Sequence, residues 1–395
     1  MPKRKHPRKP VRRSAGRQGR ASRKPDLMET VSAALVLDLP LPLLELTSAL
    51  LAVVDPRRNR GLRHAEPSGA TQHDLITSFL GVELPQTSAL LLVVAALLPD
   101  AVERRRLRRA VLARNHPLPQ WLLSLDDTRP TSAARMSHVL GDGDNVVVGV
   151  RMSDGSEVSV VVYIDHNLGT LVKDAFVIPA PIEEAVDHFR QAADDPDTTI
   201  AELSLADARA RIEPAIELGA ITVPPLETDS WPGCRALVEW VLRMMPADGT
   251  GYVRPEWDEA ALAELTDRFF ASPYGAALDD EDRRSLLESL LWFGTDYGPG
   301  DPLRWSPTAV EILLLDWLPR KIVADADYLA KAPELLRGFV RFCHAERGIR
   351  PELTAETEQA IDEDEPDYQE VIRSPRPQGP EALIAAMLEY EEGQR

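Results

Sequence analysis

Asp165, His166 and Asn167 stand together ahead of Gly169, and Lys173 and Asp174 follow a few residues on. A carboxylate that orients an imidazole is the core of general-base catalysis, and a nearby ammonium can steady a developing anion. A hydrolase centred on Asp165 and His166, with Lys173 and Asp174 completing the catalytic set, is the sharpest chemistry these residues permit. Two considerations oppose it. Adjacent strand residues point to opposite faces, so Asp165 and His166 converge only through irregular backbone. Asp and Asn also favour tight turns by bonding their own chain, and Gly supplies positive φ, so the same residues make an ordinary turn. No nucleophile motif accompanies them: G-x-S-x-G is absent, as are the phosphate loop G-x-x-x-x-G-K-[ST] and a dinucleotide fingerprint.

Basic residues offer a second chemistry. Residues 1–25 hold eleven Lys and Arg and no acid, while the chain as a whole carries a net charge of −18. Without the +11 of that segment, the remainder stands at −29. Each Lys or Arg that neutralises a phosphate releases a counterion, so such an arm can bind nucleic acid in a sequence-blind, salt-dependent way. It lacks the aromatic residues that stack on single-stranded bases. The alternatives are a solvated tail, a fold-back onto the acidic remainder, or a start of translation at Met28. Arg104, Arg105, Arg106, Arg108 and Arg109 form the second basic cluster, with Leu107, Ala110 and Val111 on the core side of the same helix. These five are candidate binding residues for phosphates or an acidic partner, set against a face that is only solvated.

Metal and cofactor chemistry finds no foothold. The eight His are scattered, with no pair three or four apart. Asp142-Gly143-Asp144-Asn145 opens like a calcium loop, but Val146, Val147 and Ser153 stand where the third ligand, the turn glycine and the bidentate Glu belong. No metal and no other cofactor is expected. Cys234 and Cys343 are the only cysteines, too few for a disulfide framework, which suits a reducing cytoplasm.

The elements that must position these residues are legible in outline. We expect a predominantly helical α+β protein with a small antiparallel meander of three to four strands in the middle third. Strands are predicted at Val146 to Arg151, Glu157 to Ile164 and Leu171 to Ile178, with Ser137 to Leu140 as a fourth. Both faces of the middle strand are apolar, so helices at Ile182 to Ala193 and Leu205 to Leu218 are expected to cover them. Charge and proline punctuation divide the chain into a disordered basic arm (1–27), a helical region (28–130), the meander with its helices (131–225) and a helical domain (226–360). An acidic, Pro-rich linker and a C-terminal amphipathic helix (361–395) complete it. Ala89 to Leu98 is wholly apolar but ten residues long, against the roughly 20 that a spanning helix needs, and reads as a buried core helix.

The leading expectation is a non-catalytic cytoplasmic interaction or regulatory protein acting through helical surfaces, with another protein as partner and no membrane span. Nucleic-acid association through the arm and the Arg104 to Arg109 helix is the alternative, and the hydrolase is the second.

Overall fold

A computed structural model describes residues 26–59, 69–167, 169–193, 195–297 and 300–374. The basic arm, the Arg-rich stretch after Asn59, the Pro-rich segment after Ser374 and the expected last helix at Glu381 to Glu392 lie outside the described residues. The protein is α+β and mostly helical, with one antiparallel sheet in its middle.

Among the described residues six α-helices precede the sheet: α1 (Leu27–Leu37), α2 (Pro40–Val53), α3 (Gln72–Leu80), α4 (Pro85–Leu97), α5 (Ala101–Arg114) and the single turn α6 (Gln120–Leu123). Their starts follow local chemistry. Thr71 and Asp74 form a capping box on α3, Asp100 accepts the backbone N–H of Val102 at the head of α5, and proline opens α2 and α4. Every residue of α4 from Thr87 to Leu97 is buried, as an all-round apolar helix requires. Among the described residues no helix is long and apolar enough to cross a membrane.

The sheet has five strands, β1 (Arg129–His138), β2 (Gly143–Arg151), β3 (Glu157–Asp165), β4 (Leu171–Ile178) and β5 (Thr198–Leu203), in the order β4-β3-β2-β1-β5. This corrects the expected three to four. β1 begins at Arg129, well before Ser137, because its Ala- and Ser-rich sequence is held by ladders to β2 and β5 on either side. β5 is a short edge strand of half-exposed and exposed residues whose alternation is too brief to announce itself.

Both faces of β3 are covered. Val158, Val160, Val162 and Ile164 enter the main core with Ala208, Ile212, Ala215 and Ile216 of α8 (Leu205–Ile221). Val161 and Val147 meet Ile182, Val186 and Phe189 of α7 (Ile182–Ala193) on the other side. α9 (Trp231–Leu242) adds Leu237, Val238 and Val241 to the main core, which therefore extends past the prolines at Val223 to Glu227. Ser48 of α2, fully buried, donates to the carbonyl of Gly233 and ties α2 to α9.

A second core gathers α10 (Glu259–Ala271), α11 (Glu281–Asp296), α12 (Pro307–Glu311), α13 (Leu318–Lys321), α14 (Ala326–Leu329), α15 (Ala332–Arg347) and α16 (Pro351–Val371) around Phe269, Trp305, Trp317, Phe339 and Tyr368. Ser306 caps α12 by accepting the N–H of Ala309 at 3.1 Å, as Ser306-Pro307 predicts. A π-helical segment, Ile312–Trp317, then joins α12 to α13, so helical backbone persists through Pro319. The acidic run from Ile361 to Asp367, expected as a mobile linker, instead lies inside α16. Ile361 and Tyr368 are buried in the second core, and Arg337 pairs with Asp362 and Glu365, offsetting part of the repulsion.

Candidate functional site

The antiparallel register of β2 and β3 sets Gly143 opposite Asp165, so the β1–β2 turn and the β3–β4 turn lie at the same end of the sheet. The ladder continues one step beyond the strands, with His166 N donating to the carbonyl of Asp142 at 2.8 Å. Gly141 and Gly169 sit at φ +70° and +102°, left-handed backbone that lets each turn reverse at a position where other residues are strained.

Asp165 and His166 diverge. One carboxylate oxygen of Asp165 accepts the Asn167 N–H at 2.8 Å, an Asx-type turn, and the other meets Lys173 Nζ at 3.0 Å. Both residues line a small cavity of about 190 Å³ with Leu171, Pro225 and Thr228. Asp174 is turned to the connector before α9, accepting from Thr228 Oγ1 and from the Ala175 N–H, each at 2.8 Å, and from Ser230 Oγ. His166 faces a different cavity of about 640 Å³. The sheet therefore brings Asp165 and Lys173 together and separates them from His166.

The carboxylate beside His166 is Asp144. Its Oδ2 lies 3.5 Å from His166 Nε2, accepts the Tyr252 hydroxyl at 2.7 Å and sits 3.7 Å from Arg135. Burial alone would raise the pKa of Asp144. Hydrogen bonds from His166 and Tyr252, with the charges of His166 and Arg135, outweigh that and hold it below the usual carboxylate value. Burial and the Asp144 charge push the Tyr252 phenol up, so it stays a donor. The other imidazole nitrogen, Nδ1, is 3.1 Å from Thr170 Oγ1, and the ring packs edge-on against Tyr252 with centroids 4.8 Å apart. Arg211 lies 4.8 Å over the opposite partner of that contact, the Tyr252 ring.

Arg304 closes the site from the C-terminal side. Its side chain is 9 % exposed, and its guanidinium donates to Gly141 O at 3.2 Å, Asp142 Oδ1 at 3.1 Å and Asn167 Oδ1 at 3.0 Å. Burial draws its pKa down while the charges of Asp142 and Asp165 oppose the shift. Tyr163, behind the turn, is raised to about 12 by burial and by the negative charges of Asp165, Asp142 and Asp144.

Asp144, Tyr252, Thr170 and Arg304 escaped the sequence reading. Asp144 was visible only as part of a failed calcium loop, and Tyr252 and Arg304 reach the site from distant connectors. The set can move a proton between His166 and a bound group, and four arginines on the cavity wall, at 135, 211, 254 and 304, favour an anionic one. A separate group, His138, Asp195 and Asp197, places ligand-type atoms within 4.8 Å of one another. Its carboxylates are already engaged by Thr198, the Asp197 N–H and Arg350.

The Arg104 to Arg109 cluster divides as well. Arg104, Arg105 and Arg108 wall a cavity of about 530 Å³, Arg106 turns back to Glu103 at 2.9 Å, and Arg109 is exposed outside that wall. Compared with protein-family models, curated proteins and solved structures, the chain matches none.

Proposed function

We propose that the protein is a non-catalytic interaction or regulatory protein of the cytoplasm, controlled at the 640 Å³ cavity between the sheet end, α8 and the connectors that carry Tyr252 and Arg304. Arg304 carries this reading. Its guanidinium, next in sequence to Trp305 of the second core, grips both turns at the sheet end, so an occupant of the cavity touches the sheet end, α8 and the residue that ties the sheet end to the segment leading into the second core. Ligand pockets concentrate at such junctions and fall in this size range. The apparent catalytic set is mostly spent on holding the joint: Asp165 on Lys173 and Asn167, Asp174 on the connector, Arg304 on the turns. The cytoplasmic assignment draws on two cysteines that are both unpaired.

A second reading, hydrolysis, has one observation in its favour. Thr170, His166 and Asp144 form a hydroxyl, imidazole and carboxylate series on the cavity wall, replacing the expected Asp165 as the partner of His166. One experiment separates the two. The full chain and a chain ending at Ser374, which keeps α16 whole, are affinity-purified from the native cytoplasm and screened against ester and phosphoester substrates beside His166→Ala. A stoichiometric protein partner, with no hydrolysis that depends on His166, supports the interaction reading. A hydrolytic activity lost in His166→Ala overturns it.

A further inference from the structure

The second cavity concentrates positive charge in a chain that is otherwise strongly acidic. Five guanidiniums from three segments line it: Arg104, Arg105 and Arg108 of α5, Arg209 of α8, and Arg243 just after α9. Two of the five are held by neutral acceptors. Arg104 donates to the carbonyls of Leu98 and Pro99 at 3.0 and 2.7 Å, and Arg243 to those of Ala96 and Leu97 at 3.1 and 2.8 Å. Both grip the carbonyl end of α4, so they are fixed in place by neutral acceptors, without a direct ion pair to a carboxylate. The Arg105 side chain makes no ion pair or hydrogen bond among the described residues and is exposed at the rim.

The acids nearby are few. Asp126 pairs with Arg108, Glu213 takes Arg209 in a fork at 3.1 and 3.2 Å, and Glu239 faces Arg243 from within α9. Burial first, and then the charge of Arg104, depress the pKa of Arg243, while Glu239 opposes the shift. Ala95, Ala96, Trp240 and Met244 supply apolar lining beside the arginines.

We propose that this cavity binds a small molecule bearing two or more phosphate groups, held by Arg104, Arg105 and Arg243, with its remaining part against Trp240 and Met244. Planar guanidinium forks match phosphate oxygens in pairs, and forks already fixed by carbonyls lose little entropy on binding. A cavity of about 530 Å³ suits a compact polyphosphate ligand and not a rod-like duplex. This inference is independent of the reading of the 640 Å³ cavity.

The test is calorimetric titration of the full chain at about 0.15 M salt, where exposed charges are largely screened, with pyrophosphate, ADP, sulfate and a duplex oligonucleotide as separate probes. Two variants are compared, Arg105→Glu at the exposed rim and Ala101→Trp, which plugs the cavity without altering charge, each checked for an unchanged thermal melt. We expect pyrophosphate or ADP to bind more tightly than sulfate, and both variants to weaken that binding at least tenfold. Binding of ADP alone identifies a nucleotide ligand, and equal binding of pyrophosphate a free polyphosphate. Because residues 1–25 carry cations of their own, Arg12→Glu with Arg13→Glu is the control, expected to leave the affinity unchanged. The proposal is overturned if neither phosphate probe binds more tightly than sulfate, or if both cavity variants bind as the parent does. It is overturned in favour of nucleic acid if only the duplex binds.

Discussion

Arg304 and Asn167 are 137 residues apart in the chain, yet the guanidinium of one donates to the side-chain oxygen of the other at 3.0 Å. That contact closes the joint between the sheet end and the segment leading into the second core, and it is made by an arginine almost wholly removed from water.

Replacing Arg304 by Ala takes one donor from Asp142, which keeps the Ser306 hydroxyl, and leaves the buried Asn167 side-chain oxygen without its arginine. Removing one member of a fully buried charged pair costs about 3–5 kcal/mol and of an exposed pair about 0–1 kcal/mol; with Arg304 buried and Asp142 30 % exposed, the loss should fall between the two. Arg151→Ala, whose partner Glu157 lies on the surface, is the exposed comparison. Urea denaturation of both variants should show a large drop in midpoint for the first and almost none for the second. Equal effects would remove the joint from the account.

The depressed pKa of Asp144 makes stability depend on acid. A carboxyl held lower in the folded than in the unfolded chain contributes stability above its unfolded value, about 3.9, and that contribution fades as pH falls through the folded value. Asp144→Asn should therefore be less stable than the parent at neutral pH, and the gap should narrow in the acid range. Parallel urea melts at neutral and acid pH measure it, and a gap independent of pH would show that the charge of Asp144 does not matter.

His344 makes the opposite residue type do the same thing. It is buried between Trp305 O and Thr354 Oγ1, each 3.0 Å from a ring nitrogen, and burial lowers its pKa. A histidine that resists protonation when folded destabilises the fold as pH drops below the unfolded value, about 6.5, and the loss levels off below the folded one. Tryptophan fluorescence, with Trp305 and Trp317 in the same core, should report a declining unfolding midpoint over that window. His344→Gln should flatten the decline.

Neither thiol should behave as a reactive one. Cys343 is fully buried and its pKa is raised by burial, while Cys234 is raised to about 11 by burial and by the negative charges of Glu45 and Asp174. The thiolate is the nucleophile, so native protein near neutral pH should react slowly with a disulfide reagent, and denaturant should release two equivalents. Fast native labelling of Cys234 would contradict the placement of α9 against α2.

Periodic elements were legible because their physics is local. The strands around Val146, Val160 and Val172 announce themselves by β-branched runs, the helices on either side of the sheet by their spacing, and α4 by an apolar stretch too short to span a bilayer. β1 and β5 were not, since the Ala and Ser of β1 carry little strand preference, and β5, though it opens with Thr-Thr-Ile, is a six-residue edge strand with no buried face to mark it. The acidic run at Asp362 to Asp367 misled for a similar reason: its charges argue for solvent, while Ile361 and Tyr368, directly adjoining it at either end, bind the helix to a core that forms from distant residues.

At the site, residue types alone established that the β3–β4 turn carries an imidazole among carboxylates and that α5 is crowded with arginine. The alternation of a strand also foretold that Asp165 and His166 would part. Which carboxylate stands beside His166, and which arginines share a cavity with Arg104 and Arg105, depended on tertiary structure. Asp144, Tyr252 and Arg304, like Arg209 and Arg243, arrive from separate elements whose relative placement is set by burying two hydrophobic cores, and no local pattern records a contact made across such a distance.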